Sequence, residues 1–299
     1  MSKAWPLTLP RGRLIGVLMG LGYGSGWAVC TVWLRGILDR YQPEPGPTMF
    51  YRGAFVSLFL FALIGPSRLR SVRPKHLPLL GLFGLVGIAL NNYAWGYSVH
   101  LNGVTVATVL AYGAPIFTVL LSRPLFGERI TRRKLSSLFL ALAGCTLVSQ
   151  AYDFSGVRLQ AAGLLVALLV AISQSGRDLL GKQIGSLYPE LISLFCGFAI
   201  GSAFLGAAQA AGVSRFSLPP TGWLELALMS VLVGASYLMY LGALRRLPVS
   251  VASILGLSEA VTAAFLAYLV HGEVLSAAQI AGAAMVVGGV ALLEVSEDA

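Results

Sequence analysis

The sequence contains few charged residues. Asp, Glu, Lys and Arg make up only 11% of its 299 residues, whereas 57% are hydrophobic. An ordinary soluble domain carries about 25% charged residues. A chain this apolar is not a soluble globular protein. We therefore expect an integral membrane protein whose main partner is the lipid bilayer.

Motifs for metal binding or nucleotide chemistry are also missing. Cys30, Cys145 and Cys196 lie in apolar runs without CxxC spacing, which argues against a zinc site or a disulfide framework. There is no GxxxxGK[ST] loop and no room for a soluble ATPase domain. The net charge of +9 comes from short basic clusters between apolar runs, which is typical of membrane proteins and not of nucleic-acid binding. We expect no cofactor, no metal and no nucleic acid.

What the sequence does contain is a series of apolar runs of the length that spans a bilayer as a helix. The alternation typical of a membrane β-barrel is absent from the sequence. The predicted fold is therefore all-α, with ten transmembrane helices. Their approximate bounds are 13–34, 48–65, 77–97, 104–122, 134–151, 161–181, 190–210, 221–242, 249–270 and 276–293.

The basic residues also predict an orientation. With ten spans, sixteen Lys and Arg residues fall on the side of the N-terminus and four on the other side. Since Lys and Arg concentrate in cytoplasmic loops, both termini are predicted to be cytoplasmic. The first residues run into a span without a small-residue cleavage site, so we expect no removable signal peptide.

The chain contains an internal repeat. Residues 104–128 align without a gap to residues 249–273, at an offset of 145, and both segments end in Gly-Glu. This divides the chain into two five-helix repeats, 1–151 and 152–299. Because five is odd, the second repeat is predicted to be inverted, an arrangement that places a substrate site at the repeat interface and supports alternating access.

These features resemble the EamA-type transporters of the drug/metabolite transporter superfamily. The resemblance rests on the two halves, on Pro115 followed by Gly127-Glu128, and on the SEAV…HGE pattern of 258–273. Many members have Glu-Pro where this chain has Glu259-Ala260, so the glutamate matches and the proline kink does not. The layout is most similar to bacterial inner-membrane exporters of amino acids and other metabolites, including exporters of aromatic amino acids. That implies a cavity lined by helices 1, 3, 4, 6, 8 and 9, a small-molecule substrate and a functional monomer.

Glu259 is the acidic residue predicted to lie near the bilayer centre, where a carboxylate costs roughly 2.5–3.5 kcal/mol. It either takes up a proton or binds an ammonium group, or it is a structural glutamate hydrogen-bonded to facing helices. An intramembrane enzyme would need a second acid, a Ser/Lys dyad or clustered histidines, so this class is disfavoured. A channel would need rings of acids. Exporters of cationic drugs or of nucleotide-sugar-like metabolites remain alternatives.

Aromatic and amide side chains at helical spacing are the other candidates for substrate binding. Asn91 and Trp95 share a helix face, as do Tyr23 and Trp27. A ring beside an amide can bind both ends of an amino acid, although interhelical hydrogen bonds and an interfacial aromatic belt would explain the same pattern. The candidate substrate-binding residues are Tyr23, Trp27, Asn91, Trp95, Tyr112, Gln174, Tyr237, Tyr240 and Glu259.

Several charged residues near the predicted span ends have two interpretations. Arg177 and Lys182 are expected to snorkel to the cytoplasmic surface, with a gating ion pair between Arg177 and Asp178 as the alternative. Arg52 either snorkels to the outer surface or balances a substrate carboxylate. The repeated Gly-Glu pairs at 127–128 and 272–273 are expected to cap helices and shape hairpins, and a proton relay is the alternative.

Overall fold

The computed structural model describes residues 11–150, 161–210, 216–271 and 274–294, and in these residues the secondary structure is helical without strands. The long helices of the first half are α1 (Arg11–Tyr41), α2 (Pro45–Ile64), α3 (Pro74–Asn102), α4 (Val106–Phe126) and α5 (Arg132–Val148). Those of the second half are α6 (Ala161–Gly185), α7 (Glu190–Ala210), α8 (Pro220–Arg246), α9 (Val249–Gly256 and Ser258–His271) and α10 (Ala277–Glu294). The predicted all-helical class is confirmed.

Eight of these helices are long and apolar enough to cross a membrane. The other two, α5 and α10, are shorter. Each predicted span coincides with one helix, but the helix ends differ from the predictions. The α1 helix continues to Tyr41 and α8 to Arg246, because polar residues extend both helices past their apolar stretches.

The chain reverses sharply between α3 and α4. Helical hydrogen bonding is assigned continuously from Asn91 to Ala111. A straight helix would separate Asn92 and Thr108 by about 24 Å, yet both line one small cavity. The chain therefore turns back near residues 103–105, between two helices that follow each other without a loop.

The contacts between helices reflect the division of the chain into two similar halves. Equivalent helices pair with each other, α2 with α7 and α5 with α10, while α1 packs on α8 and its counterpart α6 packs on α3. The α4 and α9 helices also meet. This exchange of partners is the pattern expected when two similar halves are related by a two-fold axis.

The contact between α5 and α10 is made by backbone atoms. A Cβ built on Gly144 would lie 2.6 Å from the carbonyl oxygen of Gly282, and one on Gly282 would lie 2.7 Å from the carbonyl oxygen of Gly144. Gly289 similarly faces the Ser137 carbonyl oxygen. Small residues allow this close approach, which is how helices associate in a bilayer without a hydrophobic driving force.

One end of the bundle collects most of the basic connections, and we call it the basic end. The Arg73 amide donates to the Tyr188 hydroxyl at 2.9 Å, and Arg245 pairs with Glu190 at 2.7 Å. At the opposite end, Arg40 pairs with Glu225 at 2.9 Å. The basic end thus joins the connections that the charge distribution predicts to lie on one side of the membrane.

Candidate functional site

Helices α4 and α9 are both interrupted near the middle, at equivalent positions. The α4 helix is broken by a turn at Tyr112-Gly113, just before Pro115, as expected for a bend at that proline. The α9 helix is broken at Leu257, which corresponds to Tyr112 at the repeat offset of 145. Discontinuous helices at matching positions of two halves are typical of transporter binding sites.

The break in α9 occurs without a proline. Although residue 260 is Ala, helical hydrogen bonding is interrupted, and the amide of Leu257 donates to the Ile254 carbonyl oxygen at 3.0 Å instead. Gly24 of α1 lies against this break, since a Cβ there would be 3.0 Å from the Glu259 amide nitrogen. The missing side chain allows the α1 backbone to approach, and Glu259 becomes part of the first turn of the second α9 segment.

A small central chamber lies beside the two breaks, with a volume of about 20 Å³. That is roughly the room needed for one water molecule. Six of the predicted site residues line it: Trp27, Asn91, Trp95, Tyr112, Gln174 and Glu259. Four further residues complete the wall: Arg52, Asn92, Thr108 and Ala111. The structure thus brings two-thirds of the predicted residues together on five helices.

A stretch of π-helix positions the two adjacent amides of the chamber. Residues Phe83–Leu90 of α3 are π-helical, and regular α-helix resumes at Asn91. Such wide turns often occur at functional sites because they change which side chains face inward. Asn91 donates to Ser173 Oγ at 3.1 Å and so also links α3 to α6, as the interpretation of an interhelical hydrogen bond predicts. The sequence offers no clear signal for this segment.

Among the described residues that line the chamber, Glu259 carries the acidic side chain. It is 9% exposed and accepts a hydrogen bond from Thr31 Oγ1 of α1 at 3.2 Å. That single neutral donor leaves the carboxylate with capacity for further hydrogen bonds. The group is therefore available both for a proton and for a cationic ligand.

Arg52 lies at the chamber and does not reach the surface. It is 3% exposed, so the prediction that it snorkels is wrong. Its guanidinium carbon is 5.9 Å from the Trp27 ring centre and 5.7 Å from that of Trp95. It donates to Asn92 Oδ1, while its Nε atom has no hydrogen-bond partner. The snorkelling interpretation places the charge of Arg52 at the surface, but its guanidinium lies near two indole rings inside the bundle.

Tyr23, Tyr237 and Tyr240 do not line the chamber but form an aromatic layer beside it. The ring centres of Tyr23 and Tyr240 are 4.3 Å apart, and Trp27 meets Tyr237 at 5.1 Å. The layer therefore continues from the chamber wall towards α8. These three tyrosines surround a second arginine.

That second arginine, Arg177, is 3% exposed, so the prediction that it snorkels is also wrong. It pairs with Asp178 at 3.2 Å and donates to the hydroxyls of Tyr237 at 2.8 Å and Tyr23 at 3.3 Å. Thr118 of α4 donates to Asp178 at 3.4 Å. The pair thus joins α1 and α4 of the first half to α6 and α8 of the second.

Lys182 lies one turn further towards the basic end. Its Nζ donates to the carbonyl oxygens of Leu244 at 2.5 Å and Leu247 at 2.7 Å, so it satisfies the C-terminal end of α8. It is only partly buried, and the expected snorkelling is replaced by this helix cap.

Glu128 caps a helix, but one of the other half. Its carboxylate accepts from the amides of Val249 at 2.6 Å and Ser250 at 3.3 Å, at the start of α9. Thr131 caps the nearer helix α5 through the Lys134 amide at 3.2 Å. Gly127 has φ of +69° and ends α4, as the hairpin interpretation requires. The counterpart pair 272–273 lies outside the described residues.

A larger vestibule of about 620 Å³ opens at the end opposite the basic end. It is lined by the end of α1, the start of α2 and the Trp95–His100 part of α3, and His100 is helical. Trp95 lines both the vestibule and the central chamber. This side chain is the partition between the two spaces.

Two family matches cover most of the sequence. The EamA-like transporter family matches residues 14–150 and again residues 161–295. The chain belongs to the EamA-like transporter family. This chain is therefore a multi-pass membrane protein of a transporter family.

Named relatives of this EamA transporter include carriers of two kinds. It is 26% identical over 92% of its length to the S-adenosylmethionine uptake transporter of Rickettsia bellii, 94% of which is covered. It is 27% identical over 65% of its length to a probable terminal-alkyne amino-acid exporter of Streptantibioticus cattleyicolor, with 64% of that protein covered. The chain spans only 47% to 66% of the length of three further curated relatives.

A solved crystal structure supports the fold independently. It superposes with a TM-score of 0.77 and covers 95% of this chain and 96% of its own, at 20% sequence identity. At this identity the likeness concerns the fold alone.

Proposed function

We propose that this EamA transporter is a secondary active carrier that exports amino acids, aromatic ones among them, and related small metabolites. The observation that carries the proposal is the composition of the central chamber. It combines a buried cation, Arg52, a buried acid, Glu259, and two indole rings, Trp27 and Trp95. An amino acid presents the complementary groups: a carboxylate, an ammonium group and, in the aromatic members, a ring.

Transport proceeds by alternating access in this proposal. Ten crossings form two inverted halves with the basic end in the cytoplasm of a bacterial cell, so the vestibule faces outward and the Arg177–Asp178 pair lies on the cytoplasmic side of the chamber. The proposal is supported by the matching breaks in α4 and α9 and by the pairing of equivalent helices. Since one chain encloses the chamber, a monomer is sufficient.

The substrate class is favoured over two alternatives by charge. A cationic drug would meet Glu259 but also the positive Arg52, and a nucleotide sugar would bring phosphate charge towards Glu259. A zwitterion suits both groups. The named substrates of the two relatives, S-adenosylmethionine and a terminal-alkyne amino acid, each carry an α-amino-acid group.

Proteoliposome transport of labelled amino acids, with and without a pH gradient, tests the proposal. Replacing Trp95 or Trp27 by Ala should reduce transport of phenylalanine and tryptophan about two- to tenfold, and that of alanine less, because a stacked ring contributes about 0.5–1.5 kcal/mol beyond its buried area. Tyr268→Ala is the control, since this ring is exposed on the outside of the bundle. Equal loss for large and small substrates would contradict substrate stacking, and absence of any amino-acid transport would contradict the function.

A further inference from the structure

The bundle contains two arginines, Arg52 and Arg177, that are each 3% exposed but have very different surroundings. Arg177 has a carboxylate, Asp178, at 3.2 Å and two tyrosine hydroxyls within 3.3 Å. Its charge is compensated by the protein itself. Arg177 therefore serves as an internal reference for a buried arginine that needs no ligand.

Arg52 has no such compensation. Its guanidinium donates a hydrogen bond to Asn92, a neutral amide, and its Nε atom has no partner. Within the described part of the chain no carboxylate lies at ion-pair distance from it, and Glu259 accepts its hydrogen bond from Thr31. The two indole rings attract the cation without neutralising it. A buried cation without a directly paired counter-charge is costly in a membrane interior and marks a functional site.

We infer that Arg52 binds the carboxylate of the transported substrate, an inference that rests on the proposed function. Asn92 accepts a hydrogen bond from one end of the guanidinium and leaves the Nε–H group available. The guanidinium can therefore still donate hydrogen bonds to an anion. Trp95 flanks Arg52 and also lines the vestibule, so an anion that passes this side chain reaches the guanidinium next.

The charges of the chamber favour a carboxylate over a phosphate. One arginine and one acid, Glu259, share the wall. A monoanionic carboxylate neutralises Arg52 and leaves Glu259 for an ammonium group. A phosphate dianion would bring an additional negative charge next to that acid. The two indole rings favour a substrate with an apolar part between its carboxylate and its ammonium group.

Tryptophan fluorescence of the purified full chain tests the assignment, since Trp27 and Trp95 flank the guanidinium. The probes are L-phenylalanine, 3-phenylpropionate, which lacks the ammonium group, phenethylamine, which lacks the carboxylate, and phenyl phosphate. We expect L-phenylalanine and 3-phenylpropionate to bind to the wild type and phenethylamine to bind at least tenfold more weakly. This comparison needs no substituted protein, so it stands even if a variant fails to fold.

Arg52→Gln should weaken binding of both carboxylates by about tenfold to a hundredfold, the equivalent of one lost charged hydrogen bond. Arg52→Lys keeps the charge but not the planar guanidinium. Its affinity for both carboxylates should lie between those of the wild type and Arg52→Gln. Arg70→Gln, at an exposed position of the basic end, should bind like the wild type.

The outcomes separate this inference from the proposed function. Equal binding of phenethylamine and L-phenylalanine, tighter binding of phenyl phosphate than of 3-phenylpropionate, or no binding of any carboxylate would overturn the assignment of Arg52. Amino-acid transport that persists unchanged in Arg52→Gln would also overturn it while leaving the function standing. Binding of 3-phenylpropionate that depends on Arg52, without transport of any amino acid, would uphold the assignment and refute the function.

Discussion

Replacing Arg177 by Met should destabilise the protein strongly, because the substitution leaves the buried Asp178 without its counter-charge. Asp178 is 1% exposed, and its described partners besides the arginine include the Thr118 hydroxyl at 3.4 Å. Removing one member of a buried ion pair costs about 3–5 kcal/mol, since the remaining charge is uncompensated. The hydrogen bond to the Tyr237 hydroxyl at 2.8 Å is lost as well.

The double variant Arg177→Met/Asp178→Asn tests that explanation. With both charges removed, the desolvation cost disappears, and replacing a buried pair by neutral groups is often neutral or stabilising. We therefore expect the double variant to recover about 2 kcal/mol or more of what Arg177→Met loses. Asp178→Asn alone should also be less stable than the wild type, because it leaves Arg177 unpaired.

Equilibrium unfolding in mixed detergent and SDS micelles measures these free energies of unfolding. Arg40→Met is the matched control, since the Arg40–Glu225 pair is 2.9 Å long but its arginine side chain is 58% exposed. A surface pair contributes about 0–1 kcal/mol. If Arg177→Met is as stable as this control, or if the double variant is no more stable than Arg177→Met, then compensation of Asp178 is not what the arginine provides.

Two further substitutions test the transport mechanism and the packing. Glu259→Gln keeps size and hydrogen bonding but removes the charge, so folding should persist while acceleration of transport by a proton gradient disappears; undiminished acceleration in proteoliposomes would remove Glu259 from the coupling. Gly144→Ala should lower the free energy of unfolding by about 1–3 kcal/mol, because the new Cβ would meet backbone atoms of α10 at 2.6 to 2.8 Å. Gly81→Ala, which meets nothing within 4 Å, should not be destabilising, and equal stability of the two variants would contradict the close α5–α10 contact.

Hydropathy and the repeat were sufficient to predict the helices and much of the chamber. Apolar runs determine where helices lie, because every backbone polar group in a bilayer must be satisfied internally. Helical spacing placed Trp27, Asn91 and Trp95 on inward faces, and the isolated acid at 259 pointed to the same place. These predictions depended only on local periodicity and on the cost of burying polar groups.

The positions of Arg52 and Arg177 could not be predicted from local periodicity. The prediction for Arg177 assumed a span ending near 181, whereas α6 continues to Gly185, so the side chain lies deeper and meets three tyrosines from α1 and α8. Arg52 is held between indoles of two other helices. Whether a long cationic side chain reaches the surface depends on its contact partners on distant segments of the chain. The spacing of residues along the sequence does not reveal those partners.

The capping of α9 by Glu128 has a consequence for the order in which the protein is made. Pro248, at the start of that helix, offers no side-chain cap, and the first two amides of α9 donate to a carboxylate supplied by the first half. Synthesis starts at the N-terminus, so Glu128 is made 121 residues before Val249. The later helix can thus form its first turn against an acceptor that has already been synthesised, whereas a second half produced by itself would lack this cap.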